Sequence, residues 1–280
     1  MEEEFSNTVT ELLTEKKFHQ LRLVLTNMQP ADIAEAIMAR EPKDRLILYR
    51  ILPKELSAET FAYFDSDIQE ELAMSFTDEE LAGVLSELFL DDTIDFLEEM
   101  PAHVVDKVLS HTDPDQRKIL NQFLRYSEDS AGSLMTIEYV ILNKNYTVDE
   151  SIWRIRRIGI DKETVYTAYV TDGKRVLEGV VTVKDLLLAR NEERIEAIMD
   201  TNVIFAYTHD DKEKVSETFK KYDLMSLPVI DTDGRIVGII TIDDIVDVIQ
   251  EEATEDFEKM GALRPSEKPY LKSAVLTLAK

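Results

Sequence analysis

A short pattern that occurs twice near the end of the chain constrains the fold more than any other feature of the sequence. The first copy, GVVTVKD, covers residues 179–185, and the second, GIITIDD, covers residues 238–244, so the two copies lie 59 residues apart. Met135 and Met199 open the corresponding stretches. Because similar segments at a fixed separation indicate repeated structural units, the sequence predicts an internal duplication of about sixty residues.

Each predicted repeat has the order β-α-β-β-α. In the first repeat, the strand-like segments are 139–142, 164–170 and 176–183, and the helical segments are 148–158 and one that begins at 185–189. In the second repeat, the strands are 203–207, 228–230 and 236–240, with a helix at 211–222. The run Asp231-Thr-Asp-Gly234 between the last two strands is typical of a tight turn and predicts a β-hairpin.

The hairpin leads into a strongly acidic helix. Thr241 suits the N-cap position, and Asp243 and Asp244 follow where carboxylates favour the positive end of the helix dipole. Apolar residues at positions 242, 245, 246, 248 and 249 predict a buried stripe, whereas the opposite side has no Lys or Arg before Lys259. A solvated acidic face explains this composition, and so does a face that binds a basic surface or a hard divalent cation.

The region 5–126 is predicted to contain only short helices. Possible helix starts with Pro, Asp, Ser or Thr recur about every twelve residues, and Thr77 with Glu80 fits a capping box. Helices of two to three turns are too short to be stable alone. We therefore expect them to stack into a continuous superhelix.

Three carboxylates crowd one predicted helix start in this region. Asp91 and Asp95 are four residues apart and share a helix face, and Asp92 lies between them. Capping accounts for one or two of these side chains. The surplus leaves a cation site as a second interpretation of the cluster.

Composition and spacing exclude several classes of function. The chain has 57 Asp and Glu against 32 Lys and Arg, a formal charge of -25, which repels nucleic acid and attracts cations. The run Arg154, Arg156 and Arg157 is the contrary signal, and we expect it to form ordinary salt bridges. The four His residues are too far apart for an H-E-x-x-H site, and no P-loop occurs, so the chain is not expected to be an enzyme. Without cysteine or a run of 18 apolar residues, neither disulfides nor a membrane span is expected.

These patterns divide the chain into four predicted regions. Residues 1–130 form a helical superhelix, 131–199 the first repeat, 200–260 the second repeat and 261–280 a C-terminal segment. A polar segment at 127–136 joins the superhelix to the repeats, and we expect the helical domain to swing on it. The predicted fold class is a multidomain protein that combines an α-helical domain with α/β repeats.

The pattern G-h-h-T-x-x-D, where h is apolar, resembles the signature of tandem CBS domains. The resemblance implies a pseudo-symmetric pair that dimerises and often binds adenine nucleotides such as ATP between its repeats. It implies that Asp185 and Asp244 are candidates for holding the ribose, with Lys184 beside the first. Thr167 and Leu224 stand where that family has aromatic residues, one of which would stack on adenine.

The combination of regions resembles the cytosolic part of MgtE-type magnesium transporters. The resemblance rests on the acidic helical region, the linker YSEDSAGSLMT at 126–136, the CBS pair and the acidic residues Glu252, Glu255 and Asp256. It implies a homodimer on the cytoplasmic face of the cell membrane, joined to a transmembrane pore domain of the same protein. It also implies that Mg²⁺ bridges the helical and CBS domains and favours the closed state. The resemblance further implies that 261–280 is the start of a connecting helix toward that pore. Residues 269–280 look like the beginning of this helix, which is cut short.

The resemblance assigns metal ligands to acidic positions of this chain. On the helical domain they are Glu59, Asp91 and Asp95. In the second repeat they are Asp211, Glu213, Asp223, Asp244, Asp247, Glu252 and Glu255. Two other functions fit the same sequence: a CBS-pair energy sensor that binds AMP or ATP and regulates a partner enzyme, and an acidic helical adaptor that binds neither ligand.

Overall fold

The structure is a computed structural model that describes residues 2–260, without the side chains of residues 2–7, 255, 256 and 258–260. The chain divides into two compact units between Leu124 and Arg125. The predicted connecting helix at 261–280 lies outside the described residues. Within the described residues, no helix is both long enough and apolar enough to cross a membrane.

The first unit is built from short helices that begin at a constant interval. From Phe18 to Pro114, each helix begins twelve residues after the one before it, as the sequence predicted. In its described part the helices are α1 Glu2–Thr14, α2 Phe18–Leu25, α3 Pro30–Met38, α4 Pro42–Ile51, α5 Lys54–Ala62, α6 Ser66–Ser75, α7 Asp78–Leu85, α8 Leu90–Glu99, α9 Ala102–His111 and α10 Pro114–Phe123. The capping box of Thr77 and Glu80 is present at the start of α7.

These helices pack in two alternating rows. Helix α3 packs on α5, α5 on α7 and α7 on α9, while α2 packs on α4, α4 on α6, α6 on α8 and α8 on α10. Each helix therefore buries its apolar face against the helix two places along the chain. The predicted superhelix is confirmed, and its stability comes from contacts between neighbouring helices.

Polar side chains also join helices across this stack. Lys107 on α9 donates to the carbonyl oxygens of Ala73 and Phe76 at the end of α6, at 2.8 and 3.1 Å. These carbonyls lack partners within their own helix, so the lysine satisfies groups that a helix end exposes. Arg50 on α4 pairs with Glu80 on α7 at 2.7 Å, and its hydrogen bond holds the pKa of Glu80 below the ordinary value.

The second unit contains two similar three-stranded sheets. The first repeat has β1 Val140–Asn143, α11 Val148–Ile158, a 3₁₀ turn Gly159–Asp161, β2 Thr167–Thr171, β3 Leu177–Thr182, α12 Val183–Leu188 and α13 Ile195–Ile198. The second has β4 Ala206–Tyr207, α14 Lys212–Tyr222, β5 Ser226–Ile230, β6 Ile236–Thr241 and α15 Ile242–Met260. In each sheet the first strand pairs parallel to the second, and the second pairs antiparallel to the third. The predicted duplication and fold class are confirmed.

Two details of the second unit differ from the sequence-based expectation. Strand β4 contains two residues rather than the five predicted at 203–207, and helix α13 was not predicted. Helix α13 has one turn, and its packing decides its conformation because Ile195 is fully buried in the core of the first repeat. Such a short segment carries too little hydrophobic periodicity to be recognised from sequence.

A methionine at the start of each repeat packs against a glycine of the other repeat. Met135, which opens the first repeat, lies against Gly238 in β6 of the second repeat, where an added Cβ would come within 2.7 Å of its Cγ. Met199, which opens the second repeat, lies in the same way against Gly179 in β3 of the first. Both methionine segments also pair with the backbone of the opposite repeat, Thr136 with Ile239 and Asp200 with Val180. The glycine of the duplicated pattern is thus explained by a close approach of the other repeat.

The segment predicted to be a hinge, 127–136, is largely built into the second unit. The backbone N–H groups of Ala131 and Gly132 donate to the carbonyl oxygens of Asp210 and Thr208 at 2.7 and 2.9 Å. Ala131 is fully buried, and Thr136 is fully buried as well. Buried backbone hydrogen bonds therefore hold residues 131–136 in the second unit, and the swing of the helical domain on the segment 127–136 stays a prediction.

Candidate functional site

The acidic residues of the second repeat lie on two helices that pack together, α14 and α15. Asp211 caps α14 and accepts a hydrogen bond from the N–H of Glu213 at 3.0 Å, while Asp223 ends the same helix in the left-handed conformation. Asp211, Glu213, Asp223 and Asp247 are exposed. Their carboxylates therefore remain accessible to a hydrated cation.

Asp185 and Asp244 occupy equivalent positions in the two repeats and make equivalent contacts. Asp185 accepts hydrogen bonds from the N–H and hydroxyl of Thr182 at 2.9 and 2.5 Å. Asp244 accepts the corresponding bonds from Thr241 at 3.3 and 2.9 Å. In both residues Oδ2 accepts these hydrogen bonds at the start of the helix.

In the helical unit, Glu59 on α5 and Asp95 on α8 are exposed. Asp91 differs, because only 4% of it is accessible, and its Oδ1 accepts the N–H of Asp92 at 3.0 Å. The N-cap of α8 is Phe89, and Asp91 lies in the first turn, where its charge favours the positive end of the helix dipole. Asp95 lies on the same helix and is exposed.

Within the described side chains, no three His, Asp or Glu residues lie close enough together to hold a metal ion. The side chain of Glu255 lies outside the description, and Glu252 on α15 is half-buried. The predicted ligands therefore stay a prediction. Their chemistry suits Mg²⁺, which is usually held by one or two carboxylates and retains several waters.

Sequence reasoning missed a lysine inside the acidic surface. The Lys212 ammonium lies 3.4 Å from a carboxylate oxygen of Glu251 and 3.6 Å from one of Asp129, and its side chain is 16% exposed. Burial alone would lower the pKa of Lys212, but the two carboxylates outweigh it and raise the pKa above the ordinary value. The sequence does not indicate that Lys212 pairs with Asp129 and Glu251, because both carboxylates are far from it along the chain.

The nucleotide candidates lie at one end of the first sheet. Lys184 is exposed on α12, and Asp185 is half-buried beside the cap. Thr167 pairs with Thr182 across strands β2 and β3, and Thr182 donates hydrogen bonds to Asp185. Thr167, which stands where the family has an aromatic residue, therefore lies next to Asp185. Leu224 follows α14 in the second repeat and is half-buried.

The first repeat also presents an apolar surface. Trp153 on α11, Ile160 in the 3₁₀ turn, and Leu187 and Leu188 on α12 are all more than 60% exposed. Helices α11 and α12 pack together, which brings these residues onto neighbouring elements. Exposed apolar groups on adjacent elements are typical of a surface that binds another protein.

Two family profiles cover most of the chain. The profile of the MgtE intracellular N domain matches residues 28–129, and the CBS domain profile matches residues 131–192 and 195–251. The fold and the two profiles together define a class of protein in which a helical repeat domain precedes a CBS pair.

Solved structures and relatives make the assignment specific. The crystal structure of the cytosolic domain of the Mg²⁺ channel MgtE in complex with ATP is 35% identical, with a TM-score of 0.82 over 87% of this chain and 99% of that one. The soluble part of a magnesium transporter is 28% identical, with a TM-score of 0.85 over 90% and 100%. The chain belongs to the MgtE family of magnesium transporters, as its sequence pattern indicated. It is 36% identical to the Magnesium transporter MgtE of Thermus thermophilus over 99% of its own length and spans 62% of that protein.

Proposed function

We propose that this chain is the Mg²⁺-sensing and gating region of a magnesium transporter. The observation that carries the proposal is the exposure of the carboxylates on α8, α14 and α15 in a chain that resembles the cytosolic domain of a Mg²⁺ channel. Mg²⁺ is then both the ion that the whole protein transports and the signal that this region reads. The chain acts by changing conformation and not as an enzyme.

Electrostatic repulsion supplies the mechanism. Two carboxylates about 5 Å apart repel by about 3 kcal/mol at an effective dielectric constant near 20. Without a divalent cation, the acidic surfaces of the helical unit and the CBS pair repel each other and disfavour a closed state. Mg²⁺ bound by carboxylates such as Asp95 and Asp247 offsets this repulsion and shifts the population toward closure.

A double substitution tests this proposal. We expect Asp95→Asn with Asp247→Asn, one change in each unit, to weaken Mg²⁺ binding at least about tenfold, because each removes a carboxylate that the cation would contact. The wild-type chain should become more compact when EDTA is replaced by millimolar Mg²⁺, and the variant should lose that response. Titration calorimetry with Mg²⁺ measures the affinity, and small-angle scattering measures the radius of gyration.

The control removes the same charge elsewhere. Asp106 on α9 and Asp149 on α11 are exposed and again provide one carboxylate per unit. Asp106→Asn with Asp149→Asn should leave the Mg²⁺ response unchanged. If the wild-type radius of gyration is the same in EDTA and in Mg²⁺, or if both double variants respond alike, the gating proposal is wrong.

Nucleotide sensing is the second candidate, and the ATP complex of the solved relative favours it. ATP bound beside Asp185 would lose affinity on Asp185→Asn, by about tenfold if a ribose hydrogen bond to the charged group is weakened. Asp149→Asn is the control, since Asp149 is an exposed carboxylate on α11 of the same repeat and is not a nucleotide candidate. Calorimetry with ATP in EDTA measures both, and absence of heat from the wild-type chain would exclude an ATP site here.

We infer that the chain works as a homodimer through its CBS pair. The apolar surface of Trp153, Ile160, Leu187 and Leu188 supports this, because a second copy would bury it from water. The remaining partner is the transmembrane pore domain of the full-length protein, which places this region on the cytoplasmic face of the membrane. Sedimentation equilibrium tests the dimer, and a monomer at all concentrations would contradict it.

A further inference from the structure

A small cavity opens at one end of the first sheet, away from the acidic helices. It has a volume of about 240 Å³, and its lining includes Asn143 and Thr171, the last residues of the parallel strands β1 and β2. Grooves beyond the carboxyl ends of parallel strands commonly hold ligands. Thr167, beside the nucleotide candidate Asp185, lies at the opposite end of β2, about 13 Å away at the usual rise per residue. The cavity is therefore separate from the predicted nucleotide site.

Two arginines line this cavity, Arg154 on α11 and Arg175 in the turn after β2. Arg154 donates through Nε to the carbonyl oxygen of Ile141 at 3.2 Å, and Arg175 donates through Nη2 to the Tyr139 hydroxyl at 2.6 Å. The expected salt bridges of the run 154–157 are not formed, since none of its three arginines has a carboxylate within 4 Å in the described part of the chain. Arg157 instead lies over the Trp153 ring at 5.5 Å. The chain has a formal charge of -25, so most of its cations have carboxylates available. Two guanidinium groups that line one cavity without a carboxylate within 4 Å, among the described residues, therefore favour an anionic ligand there.

The backbone of Arg175 strengthens the argument. Its φ is +67°, in the left-handed region that costs free energy for residues with a Cβ. The equivalent turn position of the second repeat is Gly234, whose φ is +77° and which adopts this conformation without that cost. The first repeat therefore holds a long cationic side chain at a position that suits glycine. A strained residue beside a cavity points to a role for its side chain.

We propose that this cavity binds a small phosphate-bearing ligand with an apolar part. Guanidinium groups bind phosphate through paired hydrogen bonds, and Asn143 and Thr171 add neutral polar groups. Tyr146, Ile141 and Leu142 form an apolar wall. Asp172, the one carboxylate in the lining, accepts the N–H groups of Lys174 and Val176 at 2.7 and 2.9 Å and so is held in the turn.

Replacing the strained arginine by glycine separates binding from folding. Arg175→Gly relieves the backbone strain and also removes the hydrogen bond to the Tyr139 hydroxyl, so the two effects oppose each other and the melting temperature should change little. The same variant should weaken binding of inorganic phosphate at least tenfold in titration calorimetry at constant ionic strength. Arg154→Gln should weaken it similarly, whereas Arg156→Gln, which removes the same charge from the same helix, should change it less than twofold.

Two further comparisons define the ligand and the site. Tighter binding of phenyl phosphate than of inorganic phosphate would support an apolar part next to Tyr146, and equal affinity would contradict the apolar part of the proposal. Asp185→Asn should not affect either ligand, because the nucleotide candidate lies at the other end of the sheet. The proposal is overturned if the wild-type chain binds neither phosphate, or if Arg156→Gln weakens binding as much as Arg175→Gly.

Discussion

Phe61→Ala is expected to destabilise the helical unit by about 3–5 kcal/mol, the range for removing a fully buried aromatic ring. Phe61 on α5 is 1% exposed, and its ring makes an edge contact with Phe96 on α8 at a centroid distance of 5.2 Å. Tyr49, Phe64 and Phe76 surround it at 6.2–6.3 Å. Alanine would leave a cavity among four aromatic rings, which come from α4, α8 and the residues just after α5 and α6, and the stacked helices can close it only in part.

The two units can be followed separately in one unfolding experiment. The single tryptophan of the chain, Trp153, belongs to the second unit, so its fluorescence reports that unit, whereas far-UV circular dichroism reports both. In urea, Phe61→Ala should move the dichroism transition and leave the tryptophan transition in place. Tyr63→Ala removes a ring that is 57% exposed and should cost less than about 0.5 kcal/mol. Equal losses for Phe61 and Tyr63 would contradict the packing described for α5.

Gly238→Ala is expected to destabilise the CBS pair by about 1–3 kcal/mol, the usual cost of forcing an extra group into a packed interior. The new Cβ would lie 2.7 Å from Cγ and Sδ of Met135 and 2.9 Å from its Cβ. A flexible side-chain end could move aside, but the Met135 Cβ is fixed by its backbone. The two repeats must therefore separate slightly, and the tryptophan transition in urea should shift to lower concentration.

A double-mutant cycle tests whether the methionine causes the effect. Met135→Ala costs stability by itself, because the side chain is fully buried, yet it removes the atoms that Gly238→Ala would meet. The loss in the double variant should be smaller than the sum of the single losses by at least about 1 kcal/mol. Gly173→Ala is the control, since an added Cβ there meets nothing within 4 Å. Additive losses at 135 and 238 would show that the contact between the repeats is not the cause.

The sequence predicted the repeating elements well, because each is set by residues close together in the chain. Helix starts every twelve residues follow from local capping and proline positions, and the capping box at Thr77 joins residues three apart. The duplicated pattern predicted two similar repeats, since equal segments fold alike. The polar composition of the segment 127–136 gave no sign of the backbone pairing that Ala131 and Gly132 make with the second repeat.

The candidate sites were predictable only as residue types. Acidic composition and family resemblance singled out carboxylates such as Asp95 and Asp247, and both residues are exposed in the structure. The burial of Asp91 and the pairing of Lys212 with Asp129 and Glu251 could not be anticipated. Burial and charge pairing depend on which elements pack together, and a local pattern does not encode this.

The sequence by itself determined the short-range structure of this protein, namely where the helices begin, how they are capped and the two repeats of strands and helices. It also determined the excess of negative charge. The tertiary structure alone decided which distant residues meet, as when Met135 meets Gly238 across the repeats and Arg154 meets Arg175 at one cavity. The physical reason is the range of the interactions. Hydrogen bonds along a helix or a turn are specified within a few residues, whereas packing and charge pairing exist only once the chain has brought remote segments into contact.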